Sequence, residues 1–219
     1  MSRRSAFTLL ELLVSVSVVA LLTTIALPGL SRARSRASGL SCVANLKQWG
    51  IATMIYCADN DDFLPPDGTP NPGPNATNTG WYIQLPAAIG VPRYKDLPWH
   101  TNASEPLPRS LWLCPANRRR SNGRNLFHYC LNQNVNGTGA DAQPIRLSSI
   151  DSPTSLVWLF DSKNLPAVGP RSYTHTNLHV RGANFLFLDG HVRRYSASEY
   201  WDFESNRPLQ AGLPFAWNP

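Results

Sequence analysis

The apolar positions along this chain change character twice. From Phe7 to Leu27 they are nearly continuous, twenty-one residues with Glu11 as the one charge. At ~1.5 Å per residue such a helix spans ~32 Å, about the thickness of a bilayer's hydrocarbon core. From Leu30 the pattern becomes periodic: Leu30, Ala33, Ala37, Leu40, Ala44, Ile51 and Ile55 recur at threes, fours and one seven, with Arg32, Arg36, Lys47 and Gln48 on other faces. That spacing predicts a helix continuing to about Cys57, with this stripe packed on a head and the other side wet. Gly39 and Gly50 each cost roughly 1 kcal/mol against Ala in a helix interior, and Pro28-Gly29 marks the expected kink.

From Asp59 the composition turns to Asp, Asn, Pro and Gly, and residues 65–80 read as a long surface loop. Beyond it, short β-forming runs predict strands at Trp81 to Leu85, Ser110 to Cys114, Leu126 to Leu131, Ser155 to Phe160, Ala183 to Leu188 and His191 to Ser196. Asp189-Gly190 between the last two predicts a type I′ hairpin pairing Leu188 with His191, Phe187 with Val192 and Phe185 with Arg194. Phe185 to Leu188 is apolar on both faces, so this strand is expected inside the sheet and covered on both sides.

An ionised carboxylate one turn inside an apolar helix is expensive unless something compensates it. Glu11 sits in that place, preceded by Arg3-Arg4-Ser5-Ala6 and Phe7-Thr8-Leu9-Leu10. A secretory signal would carry its small-residue cleavage site after the apolar core, whereas Ala6 lies before it. Residues 2–28 resemble the N-terminus of type IV prepilins and type II secretion pseudopilins, whose leader ends in a small residue before Phe-Thr-Leu-x-Glu. The resemblance implies that a prepilin peptidase cuts between Ala6 and Phe7 and methylates the new Phe7 amine. Glu11 then becomes the fifth mature residue and Pro28 falls where pilins often carry a helix-kinking proline. The family favours Gly before the cut, and Ala6 departs from it. After cleavage one subunit's Glu11 can neutralise a neighbour's Phe7 amine in a stack of parallel helices, a pair that acts mainly on register.

A second resemblance lies downstream. His179 is followed after nine residues by Asp189-Gly190, with Asn45-Leu46-Lys47-Gln48 and Cys114-Pro115 upstream. These residues resemble the prepilin-type processing-associated domain named for its His-x9-Asp-Gly motif, abundant in planctomycete-like bacteria. One reading of the motif is a cation site in which Asp161, His179, Asp189 and His191 converge at one end of the sheet, with calcium the candidate ion. The plainer reading is turn chemistry at Asp189-Gly190 with hydrogen-bonded histidines.

Four cysteines fit an oxidising compartment. Cys42 and Cys57 cannot pair on one helix, since ~22 Å of axis separates them. Cys114 with Cys130 is the most local bridge, and cross-links from the helix to the head remain open.

The formal charge is +6, with Arg118, Arg119, Arg120, Arg124, Arg193 and Arg194 in the head. Loss of Arg3 and Arg4 on cleavage lowers it to +4. DNA is therefore a partner to weigh, against the solvated loop that a triple arginine usually is. The chain has no His-Glu-x-x-His, no Gly-x-Ser-x-Gly and no phosphate-cradling Gly-rich loop, and no enzymatic activity is expected.

The expected protein is α+β and pilin-like, a long N-terminal helix packed on an antiparallel β-sheet head. Its parts are a leader over 1–6, a membrane and assembly helix over 7–27, an amphipathic continuation over 28–58 and a periplasmic or extracellular head over 59–219. Charge on both sides of the span leaves topology open, and the resemblance implies a cytoplasmic N-terminus at the inner membrane. The expected role is a structural subunit of a pilus-like or secretion filament, with prepilin peptidase and other pilins as partners. A membrane-tethered ligand-binding domain and a DNA-binding minor pilin are the alternatives.

Overall fold

The computed structural model describes residues 8–72, 80–136 and 143–219. The chain divides into two units, residues 1–37 and 38–219. Helix α1, Leu9–Asp59, begins in the first and ends in the second, with Pro28 in its interior. Within the first unit its side chains, among them Leu9, Leu13, Val16, Leu21 and Ile25, are exposed. By length and composition it suffices to cross a membrane.

In the second unit α1 buries Cys42, Leu46, Trp49, Gly50, Ala52, Thr53 and Cys57, at steps of four, three, one, two, one and four. The stripe expected to face the head is instead outward: Leu40, Ala44, Ile51 and Ile55 are exposed. Its aliphatic regularity misled because the buried stripe carries one large ring, Trp49, among residues that include Cys42, Gly50, Thr53 and Cys57. Thr53 Oγ1 returns a hydrogen bond to Trp49 O and accepts the Trp158 indole N–H at 3.0 Å, so a polar residue is satisfied inside the core.

The head follows as α2 Trp81–Ala88, β1 Tyr129–Asn132, β2 Val157–Asp161, β3 Val168–Gly169, β4 Gly182–Phe187 and β5 Val192–Ser196. A small ribbon, β6 Trp201–Asp202 with β7 Arg207–Pro208, completes it. The main sheet has the order β3-β1-β2-β4-β5. All its pairs are antiparallel except β1 with β3, which makes the sheet mixed. β4 is interior and buried along its whole length, as its two apolar faces require.

Alternation sends Tyr129, Leu131 and Leu186 into a core shared with α1 and α2, and Cys130, Phe160, Phe185 and Phe187 into a second core on the other face. Trp158 and Leu159, adjacent in sequence, both join the first core, because a register shift between Val157 and Leu159 re-aims one of them. The second core is closed by Phe215 and Trp217 near the C-terminus, held by a bridge between Leu156 and Ala216.

Two expected strands are absent. Trp81 to Leu85 lies in α2, where Trp81 and Leu85 are one turn apart, fully buried, and the Trp81 indole N–H donates to Ala167 O. Burial among the Trp49, Trp112 and Phe127 rings overrides the β preference of Trp-Tyr-Ile. Ser110 to Cys114 is irregular because its carbonyls are bonded to α1. Asn45 Nδ2 donates to Ser110 O and Leu113 O, and Trp49 Nε1 donates to Leu111 O.

Candidate functional site

Ala6 and Phe7, the expected processing pair, lie outside the described residues. Immediately after them Thr8 caps α1. Glu11 Oε2 accepts the Thr8 backbone N–H at 2.9 Å and its hydroxyl at 2.8 Å, while the Glu11 N–H donates to Thr8 Oγ1 at 3.2 Å. This reciprocal arrangement is a capping box that satisfies donors left over at a helix start. Glu11 therefore has a local role beside the assembly charge expected of it, and Thr followed by Glu three positions on is the sequence pattern of such a box.

In the head the His-x9-Asp-Gly spacing equals the span of one strand. The nine intervening residues are Val180, Arg181, the six residues of β4, and Leu188. Val180 and Arg181 take left-handed backbone at φ 51 and 60, held by Arg194 Nη1, which donates to His179 O and Val180 O. Both ends of the motif abut α1. A β-carbon on Gly39 would sit 3.5 Å from His179 Nδ1, and one on Gly50 would sit 3.2 Å from Gly190 Cα and 2.9 Å from Leu186 Cδ1. The two glycines thus let α1 approach the ends of β4 closely, which offsets their cost to the helix.

The four residues proposed to hold a cation form two separate pairs. His179 Nε2 lies 3.1 Å from Asp161 Oδ2, and His191 Nδ1 lies 2.7 Å from Asp189 Oδ1. Asp161 faces Asn184 near the start of β4, its Oδ2 accepting the Asn184 N–H at 2.7 Å, whereas Asp189 lies beyond the strand's far end. Five residues at ~3.3 Å each separate these points by ~17 Å, so the expected convergence does not occur. Asp189 serves its turn by accepting the His191 N–H, and the His191 ring stacks on Phe187 at 4.3 Å.

The hairpin register also differs from expectation by one residue. Phe187 N–H donates to His191 O and Gly190 N–H to Phe187 O, and Leu186 pairs with Val192, Phe185 with Arg193 and Asn184 with Arg194. Only Gly190 of the turn has positive φ, at 86°. A type I′ turn needs two such residues, so the chain uses a three-residue loop with the glycine as its left-handed bulge.

The disulfide joins Cys42 to Cys114, and Cys57 and Cys130 are buried free thiols. The expected Cys114–Cys130 bridge fails because Cys130 points into the second core while Cys114 lies in the first, against α1. Burial raises the Cys57 thiol to about 11 and the Cys130 thiol well above its ordinary value, which keeps both protonated and unreactive. His128 is neutral: Nδ1 accepts the Cys114 N–H at 3.1 Å, Nε2 faces Arg119 O, and burial lowers its pKa to about 4. Asp67 is buried beside Asn136, whose amide donates to Oδ1 at 2.7 Å, and desolvation raises its carboxyl to about 7. The loop from residue 65 was expected at the surface, yet Pro65 and Asp67 are buried. Of the six head arginines weighed for DNA, Arg120 and Arg194 are bonded to backbone carbonyls and Arg193 stacks on Tyr195.

Residues 1–27 match the family described as the prokaryotic N-terminal methylation motif. The match supports a pilin- or pseudopilin-type substrate of a prepilin peptidase. With its one apolar N-terminal helix it fits an inner-membrane-anchored pilin. No curated protein and no solved structure matches the chain.

Proposed function

We propose that this protein is a structural subunit of a type IV pilus-like or type II secretion filament, cut between Ala6 and Phe7 and methylated on Phe7. The observation that carries the reading is Glu11 at the start of a methylation-motif helix whose side chains are exposed throughout the first unit. In a filament the Phe7 amine of one subunit meets the Glu11 carboxylate of another, and low dielectric strengthens the pair. The outward stripe of Leu40, Ala44, Ile51 and Ile55 supports the same reading. A helix apolar on a second face, after burying its first, has area left for a further copy of the chain. Head-to-tail contacts of this kind do not close and so generate a helical filament.

In this account the N-terminus starts in the cytoplasm and the head is periplasmic, and no catalysis is assigned to it. Glu11→Ala tests it: cleavage persists and filament assembly is lost. Normal filaments from that variant would refute the role given to Glu11, and indifference of every property to it would favour a tethered monomer. Salt-sensitive binding of the protein to duplex DNA would favour the minor-pilin alternative.

A further inference from the structure

Four side chains that filament assembly leaves without a task meet beside the start of β4. Cys42, Cys114 and His179 offer Sγ, Sγ and Nε2 within 4.8 Å of one another, and all three are buried. His179 Nε2 lies 3.5 Å from Cys114 Sγ and 3.1 Å from Asp161 Oδ2. Asp161 is fully buried, and its other oxygen, Oδ1, has no hydrogen-bond partner among the described residues. An orphaned carboxylate oxygen in a core is costly, and the side chain that carries it touches His179 through its other oxygen, Oδ2.

Two thiolates, an imidazole and a carboxylate make a ligand set for tetrahedral zinc. Bonds of ~2.3 Å to sulfur and ~2.0 Å to nitrogen or oxygen place neighbouring ligand atoms roughly 3.3 to 3.8 Å apart. The 3.5 Å and 3.1 Å separations about His179 Nε2 are near that range. We propose that, once its disulfide is reduced, the Cys42–Cys114–His179 cluster is a binding site for zinc or a similarly thiophilic divalent cation, with Asp161 as fourth ligand.

The steps balance. A dithiol reductant gives two electrons and two protons to the Cys42–Cys114 disulfide, yielding two thiols and its own disulfide. The cation then displaces both thiol protons, which leave to solvent. The Nε2 proton that faces Asp161 moves to Nδ1, freeing the Nε2 lone pair and the carboxylate together for the ion. The site therefore holds α1 to the head in either of two covalent states, by a disulfide or by a metal. Sulfur ligands select against calcium, which prefers oxygen.

The test uses the full chain in detergent micelles, reduced and desalted without oxygen, with cobalt(II) as a spectroscopic stand-in for zinc. One cobalt per chain with tetrahedral visible bands, displaced by one zinc, is expected. The Cys57→Ser/Cys130→Ser chain keeps the bands, and His179→Ala, which removes a direct ligand, weakens binding. Zinc raises the Tm of the reduced chain and leaves the oxidised chain unchanged, a readout that stands even if a variant folds poorly. Absence of the bands, their survival in Cys42→Ser/Cys114→Ser, or a reduced-chain Tm indifferent to zinc each overturns the proposal.

Discussion

Glu11 and Thr8 cap the first turn of α1 reciprocally, the carboxylate taking both the N–H and the hydroxyl of Thr8. The same side chain therefore has a local task inside one chain and a proposed task between chains, and substitutions separate them. Gln at this position keeps the cap and loses the charge, whereas Thr8→Ala keeps the charge and weakens the cap by about 1 kcal/mol. Filament yield should fall as severely in Glu11→Gln as in Glu11→Ala and only mildly in Thr8→Ala. A Gln variant that assembles normally would make the cap, not the charge, the reason for Glu11.

The Cys42–Cys114 disulfide closes a segment across 72 positions of sequence and ties α1 to the head. In the chain-entropy view a loop of that size is worth about 4 kcal/mol. Cys42→Ala should lower the denaturant midpoint accordingly, with Cys57→Ala/Cys130→Ala leaving the bridge intact by non-reducing peptide mapping.

Gly50 carries a test of the close approach of α1 to the hairpin. Ala favours helix by roughly 1 kcal/mol, yet its methyl would meet Leu186 Cδ1 at 2.9 Å and the Gly190 backbone at 3.2 Å. Gly50→Ala should therefore destabilise, by about 1 to 3 kcal/mol as overpacked cores do. Thermal unfolding that shows a gain would place the helix farther from β4.

Much of this was readable in the residues, and the failures share a cause. The extent of α1 followed from its apolar content, and β2, β4 and β5 from β-branched and aromatic runs. The buried face of α1 was misassigned because periodicity counts aliphatic residues equally, while the head selects one large ring, Trp49, and small neighbours. The partners of Cys42, the Asn45 bonds to the 110–114 carbonyls and the closure of the second core by Phe215 and Trp217 are long-range contacts. No local pattern encodes those. The Thr8–Glu11 box, by contrast, is a local pattern legible in the residues. Asp161, His179, Asp189 and His191 were expected at one end of the sheet, and β4 separates them into the pairs Asp161–His179 and Asp189–His191.

Asp67 gives the head a pH signature. Its folded carboxyl, raised by burial to about 7 from an ordinary 3.8, holds a proton that the unfolded chain has already lost between those values. The folded state binds more protons there, so this group's effect on stability falls as pH rises from about 4 to 7. His128 works in the opposite sense below 6.5, since its folded pKa is lowered to about 4. Comparing Asp67→Asn with the parent isolates the first: the variant's Tm should exceed the parent's at pH 8 and match it near pH 4. Equal shifts at both pH values would assign the effect to packing.

The central claim, that this chain is processed as a prepilin, is tested most directly by mass spectrometry of the mature N-terminus after co-expression with a prepilin peptidase. The account predicts a chain beginning at N-methylated Phe7, with Arg3 and Arg4 gone. A chain that retains those arginines, or is cut beyond Leu27, would contradict it.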